Sequence, residues 1–209
     1  MTTGGRNNKA IIAVGATIVL ACGAVAGMVA LGAFKPDRVN ATCSPAGTDD
    51  PKDYAAFCAA LNRPDLPTLL GTPDDRVSTA GPGLFKEEGK QARAEVRLQG
   101  TVVSLAESPV SAWSMRDGTW PGATPVTVLG HPAATSKGQT ITLFDPNRRS
   151  SQDSPTSRKL VIAEDPKDPG GRAFEVTAFR PDGKQVEDAV VQRVAEAVIP
   201  NLPGWVAVP

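Results

Sequence analysis

The chain has 209 residues, 41% of them hydrophobic, with 22 basic and 22 acidic side chains and one histidine. No basic surplus exists to serve as a nucleic-acid footprint, which needs lysine and arginine clustered on one face. Three cysteines and one histidine exclude multi-ligand Cys/His zinc centres and histidine-based hydrolytic triads in their usual composition.

Ala10 to Phe34 is a run of 25 residues with no charge and one hydroxyl, Thr17. A helix of that length spans roughly 37 Å, against about 30 Å of hydrocarbon in a bilayer. The run therefore reads as a transmembrane helix bound to the lipid bilayer through residues 10–34, after a cytoplasmic stub at 1–9. Two other fates fit the same residues. Arg6 and Lys9, with Ala24-Val25-Ala26 downstream, have the form of a cleaved signal peptide. Cys22 after Val19-Leu20-Ala21 is an imperfect lipidation site, because Leu20 is bulky and apolar residues follow. The anchor is the first reading, since the apolar run continues past both sites. Gly23 and Gly27 have the spacing that lets two membrane helices approach. Chance supplies that spacing easily in an Ala/Gly-rich run, so weak homodimerisation is the most it supports.

Flanking charge leaves the orientation tied, with Arg6 and Lys9 on one side and Lys35 and Arg38 on the other. The cysteines break the tie. Outside the apolar run only Cys43 and Cys58 remain, an even pair best read as a disulfide in an oxidising compartment. The expected placement is N-terminus in the cytoplasm and C-terminal domain outside it. The 175 residues after Phe34 carry 20 positive and 22 negative charges, a net of −2. Asn40-Ala41-Thr42 matches a glycosylation acceptor, which matters only in a glycosylating host.

Residues 35–50 are polar, with Pro36, Pro45 and Gly47, and read as a juxtamembrane stalk. The α+β domain is expected over 51–209. Asp49-Asp50-Pro51 signals a helix start, and Tyr54, Phe57, Cys58 and Leu61 follow at i, i+3, i+4 and i+7. Pro64 ends that helix. A short second one is expected from Asp65 to Leu70, with Gly71 as its C-cap.

Residues 72–91 read as loop. From Ala92 the period becomes two: Ala94, Val96, Leu98 and Val102 point one way, Arg93, Glu95, Arg97, Gln99 and Thr101 the other, with Gly100 as a bulge. Further strands are expected at 126–129, 139–144, 159–163 and 174–179, separated by Gly/Pro/Asn/Asp/Ser breaks. Val186, Val190, Val194 and Val198 mark a final helix, stopped at Pro200, after which Leu202 to Trp205 folds back on the core. The fold class is α+β: an antiparallel sheet flanked by N-terminal and C-terminal helices, preceded by one transmembrane helix.

No catalytic, cofactor-binding or metal-binding residues are assigned, and Cys43 and Cys58 are the named pair. His131 in Leu129-Gly-His-Pro132 reads as a surface or turn histidine. Paired carboxylates are the remaining enzymatic option, because they run glycoside chemistry without histidine. Candidates are Glu87, Glu88, Glu107, Glu164, Asp165, Asp168 and Glu175. The acidic stretch 164–171 suits a hairpin loop better than a calcium or phosphate loop. Trp113 and Trp120 either line a binding surface or seal a core edge. Arg148, Arg149, Arg158 and Lys159 read as a solvated hairpin tip.

The stretch CAALNRPDLPTLLGTP from Cys58 to Pro73 resembles the helical signature of an actinobacterial (Streptomyces-type) membrane-anchored domain family of unknown function. VLGHPA at 128–133, LVIAEDPKDPGG at 160–171 and the stretch from Val194 to Trp205 fit the same family. The resemblance implies one N-terminal membrane segment and one outer domain. Family members often carry Arg where His131 stands, which speaks against a special role for it. More distantly the layout is similar to lipoprotein domains of the Mog1/PsbP-like fold, an analogy of fold only. The expectation is a non-catalytic binding or interaction module of the cell envelope, whose partner is an envelope protein or ligand not nameable from residues. The alternative is a carboxylate-based hydrolase of envelope glycans.

Overall fold

The computed structural model describes residues 41–83, 91–118, 120–139 and 156–208. All of the described residues lie in one compact unit that begins after Val39. The apolar run, with Cys22, Gly23 and Gly27, lies outside them, as do Glu87, Glu88, Arg148 and Arg149. Among the described residues no helix is long and apolar enough to cross a membrane.

The domain is α+β. Helix α1 is Tyr54–Leu61 and α2 is Leu66–Leu69. Strands β1 (Val77–Gly81), β2 (Arg93–Leu98) and β3 (Val102–Glu107) follow. After the short helix α3 (Ala112–Arg116) come β4 (Thr124–Val128), β5 (His131–Gln139), β6 (Thr156–Ala163) and β7 (Ala173–Phe179). Helix α4 (Asp188–Val198) and a 3-10 turn at Ile199–Asn201 complete the chain. The seven strands form one antiparallel sheet in the order β1-β2-β3-β7-β6-β5-β4. Two meanders, β1–β3 and β4–β7, therefore meet where β3 pairs with β7.

Side-chain alternation gives the sheet two different faces. Ala94, Val96, Val103, Leu105, Val176, Phe174, Leu160 and Ile162 share one face with Tyr54, Phe57, Cys58 and Leu61 of α1 and Val191, Val194, Ala195 and Val198 of α4. Ala134, Val161, Ala163 and Ala173 point the other way and meet Ala112 and Met115 of α3. Met115 and Ala112, rather than the nearby tryptophans, close that second core.

Several expectations change in detail. Helix α1 starts at Tyr54, not at the Asp49-Asp50-Pro51 signal; residues 51–53 are a turn and Asp53 is the N-cap residue without a side-chain cap bond. Part of the expected stalk is bound to the domain. Ala41 and Ser44 N–H donate to Val77 and Ala80 carbonyls at 3.2 and 3.0 Å, and Cys43 bridges Ala80 in parallel. The disulfide Cys43–Cys58 fixes that stretch to α1.

Residues 77–81, expected as loop, are edge strand β1, whose Ser, Thr and Gly lack an apolar pattern because most face outward. Gly100 is not a bulge. It sits in the tight turn between β2 and β3, where Leu98 N–H donates to Thr101 O at 2.8 Å. That turn resets the alternation, so Val102 pairs with Arg97 and faces away from the main core. β5 starts at His131, eight residues before the strand expected at 139–144, and residues 140–144 lie outside the described residues. Arg158 and Lys159 lie in β6 rather than at a hairpin tip.

Candidate functional site

The loop between β6 and β7 carries the acidic stretch. Glu164 N–H donates to Arg172 O at 3.0 Å, which closes a hairpin between Ala163 and Ala173 and brings both side chains to one end of the sheet. Arg172 there gathers three carboxylates from distant parts of the chain. Its guanidinium hydrogen-bonds Glu107 at the end of β3, lies 3.3 Å from Glu164, and lies 3.9 Å from Asp53 before α1. Glu107 also accepts from Ala92 N–H at 3.3 Å. Of the carboxylates picked out in the sequence, Glu107 and Glu164 are thus brought together. Glu175 is not: it faces Lys159 at 2.9 Å on the opposite side of the sheet. Asp165 and Asp168 cap backbone N–H groups of Lys167 and Gly170 within the loop.

Burial pushes the Glu164 carboxyl above the usual glutamate range; Arg172 opposes this, and Glu107, Asp165 and Asp53 add to it. A carboxyl raised in the folded state ionises first in the unfolded chain as pH rises. Wild type then loses stability through the glutamate range relative to a variant that cannot ionise. Glu164→Gln should gain on wild type between about pH 4 and 7 in urea denaturation. A stability difference that stays flat with pH would contradict this account of the cluster.

His131 is a correction. It is fully buried, not a surface or turn residue. Val128 pairs directly with His131, so Leu129 and Gly130 alone make the turn, with φ of 53° and 79°. Positive φ at both positions is the geometry of the tight primed hairpin turns, whose twist matches that of the strands. His131 is therefore the first residue of β5. Its Nδ1 sits 2.8 Å from Ala163 O, and its ring stacks on Trp205 at 3.8 Å and 22°. Sequence reasoning missed it because Leu-Gly is not a hairpin dipeptide. Leucine in the left-handed region costs about 1–2 kcal/mol, a cost asparagine largely avoids. Leu129→Asn should raise stability by about 1 kcal/mol, seen as a higher urea midpoint. An unchanged or lower midpoint would show that the leucine is not strained.

The second face of the sheet carries a polar row. Register places Glu95, Ser104, Thr177, Lys159 and Ser136 side by side across β2, β3, β7, β6 and β5. Its charges are internally matched, with Arg97 2.7 Å from Glu95 and Lys159 on Glu175. At the β1 edge, Ser44, Thr79, Gly81, Gly83, Glu95 and Arg97 line an open groove of about 290 Å³. Trp113 lies under the Arg116 guanidinium at 5.7 Å, whereas Trp120 is 43% exposed and makes no seal. Among the described residues no group of three or more His, Cys, Asp or Glu side chains is placed to hold a metal ion.

A family model described as a family of unknown function (DUF6215) matches residues 5–115. The chain belongs to that family. No curated protein and no solved structure matches it. The DUF6215 match runs from before the apolar segment to Met115 within α3. It includes Asp53, Glu107 and the disulfide cysteines, but not His131, Glu164, Arg172 or Trp205. The sequence stretches at 128–133, 160–171 and 194–205 that suggested a family of unknown function lie beyond the matched part.

Proposed function

We propose that this DUF6215 chain is a single-pass membrane protein of an actinobacterial cell envelope, N-terminus inside, whose α+β domain is a non-catalytic binding module outside the cytoplasm. The placement rests on the uncharged run at 10–34 and on a disulfide, which persists in oxidising compartments. Its resemblance to Mog1/PsbP-like domains is an analogy of layout and assigns no activity.

The non-catalytic reading is carried by Arg172. Glycoside hydrolysis uses two carboxyls that face each other across a substrate-sized gap, one free to give a proton and the other to attack or activate water. Glu107 and Glu164, the candidate carboxylates that come together among the described residues, instead share one guanidinium. That arrangement joins strand ends to the start of α1.

Spheroplasts of cells producing the full chain test both halves. External protease should digest the domain, and membrane-retained protein should keep its first 34 residues. An N-terminus beginning at Gly27 would replace the anchor by a cleaved signal. Incubation of the full chain with envelope glycan should release no reducing sugar. Release abolished by both Glu107→Gln and Glu164→Gln would establish the hydrolase instead.

A further inference from the structure

Leu202 to Val208 lies across the end of the sheet as a strap. Leu202 is buried and pins its start. Beyond it, one backbone hydrogen bond ties the strap to the sheet among the described residues, from Val206 N–H to Glu164 O at 3.3 Å. Gly204, at φ 89°, makes the bend beside the Glu164 carboxylate. Val206 and Val208 are each 44% exposed. The other holds are the Val208 side chain against the Gly130 turn and Trp205, stacked on His131 and tilted against Phe174 at 6.4 Å. Few backbone bonds and high exposure place such a segment at the low end of local stability.

His131 is what the strap covers. Ala163 O can only accept, so Nδ1 carries hydrogen, and in the neutral ring Nε2 carries the lone pair. Nε2 is buried and has no hydrogen-bond partner among the described residues. An unfilled acceptor in a closed site costs folding free energy, and buried polar groups are otherwise nearly always paired. The slot itself is shaped for a planar group, with the imidazole face on one side and Phe174 behind.

We propose that the strap after Leu202 is a gate. It lifts without unfolding the sheet, and the slot vacated by Trp205 takes a planar aromatic group that stacks on the imidazole face as the indole does. The ligand class deepens the binding-module reading and rests on it, whereas the gate is measurable without any partner.

His131 is the only histidine, so diethyl pyrocarbonate labelling of untagged full chain in mild detergent reports one imidazole. Below the unfolding transition, urea should change the labelling rate by less than about twofold, as for a local opening. A rate that climbs in parallel with global unfolding overturns the gate. Trp205→Ala, with its disulfide and circular dichroism retained, should label at least about tenfold faster. In that variant millimolar indole should protect His131, and cyclohexanol, which has no aromatic face, should protect less. Equal protection by the two overturns the stacking role of the slot. Absence of protection by either overturns the ring slot, while a urea-insensitive wild-type rate would still support the gate.

Discussion

Phe174→Ala should lower the stability of the domain by about 4 kcal/mol, the usual cost of emptying a buried phenylalanine site. Phe174 is fully buried at the second position of β7, the strand that joins the two meanders. Its ring meets the edge of Phe57 from α1 at 5.9 Å and Trp205 of the strap at 6.4 Å. One side chain therefore connects the first helix, the middle of the sheet and the C-terminal segment. Neighbours on three separate elements cannot all move inward to refill the space, which puts the loss toward the upper part of the range. In urea the midpoint should fall by about 2 M, taking a slope near 2 kcal/mol per molar for a domain of this size. Phe179, at the other end of β7, pairs with Val102 on the opposite face and is only partly buried. Phe179→Ala should cost less than half as much. Equal losses at the two positions would mean that the main core is not organised around Phe174.

The double variant Cys43→Ser, Cys58→Ser should lose about 3 kcal/mol, the value for closing a loop of 15 residues in the chain-entropy account. For a domain of this size that is a fall in Tm of roughly 6–12 °C. The loss has a local signature as well. Besides the bridge, the stretch from Ala41 is held by Tyr54 Oη–H donating to Ser44 O at 3.0 Å and Asn62 Nδ2–H donating to Ala41 O at 2.9 Å. Both partners sit on or beside α1, so the disulfide and these bonds support one another. Without the bridge, hydrogen exchange at Ala41 and Ser44 should accelerate well before exchange in β3 or β7 does. A variant within 1 kcal/mol of wild type, with Ser44 still protected, would show that the hydrogen bonds alone suffice.

Legibility in the sequence followed burial on one face. Helix α1 was readable because Tyr54, Phe57, Cys58 and Leu61 all bury on the same stripe, β7 because Phe174, Val176 and Ala178 alternate with Glu175 and Thr177, and β6 because Leu160 to Ala163 is a short apolar run bounded by polar breaks. The final helix was found, and Val194 and Val198 of the expected row lie on its buried face, where Val191 and Ala195 join them; Val190 is only partly buried and Val186 precedes the helix. A strict four-residue step drifts around a helix of 3.6 residues per turn, so such a row cannot stay on one contact. β1 was invisible because an edge strand pairs on one side and exposes most of its side chains.

The candidate site was readable only as ingredients. Glu107, Glu164 and His131 stood out by type, yet their neighbours are set by contacts across 8 to 119 residues of sequence. No local rule announces that Arg172 will collect Asp53 and Glu107, or that Trp205 will cover His131. The Leu129-Gly130 turn decides the histidine's fate, and there the strand pairing overrides the dipeptide preference.

By itself the sequence determined the apolar run, the single cysteine pair outside it, the absence of a basic surplus and the α+β class. Each of these follows from composition or from short-period patterning, which act within a few residues. Only the tertiary structure decided that two meanders join at β3 and β7, that Glu107 and Glu164 share Arg172, and that the one histidine is buried beneath the C-terminal strap. Those outcomes depend on which distant segments pack against one another, and packing is selected by the whole core at once.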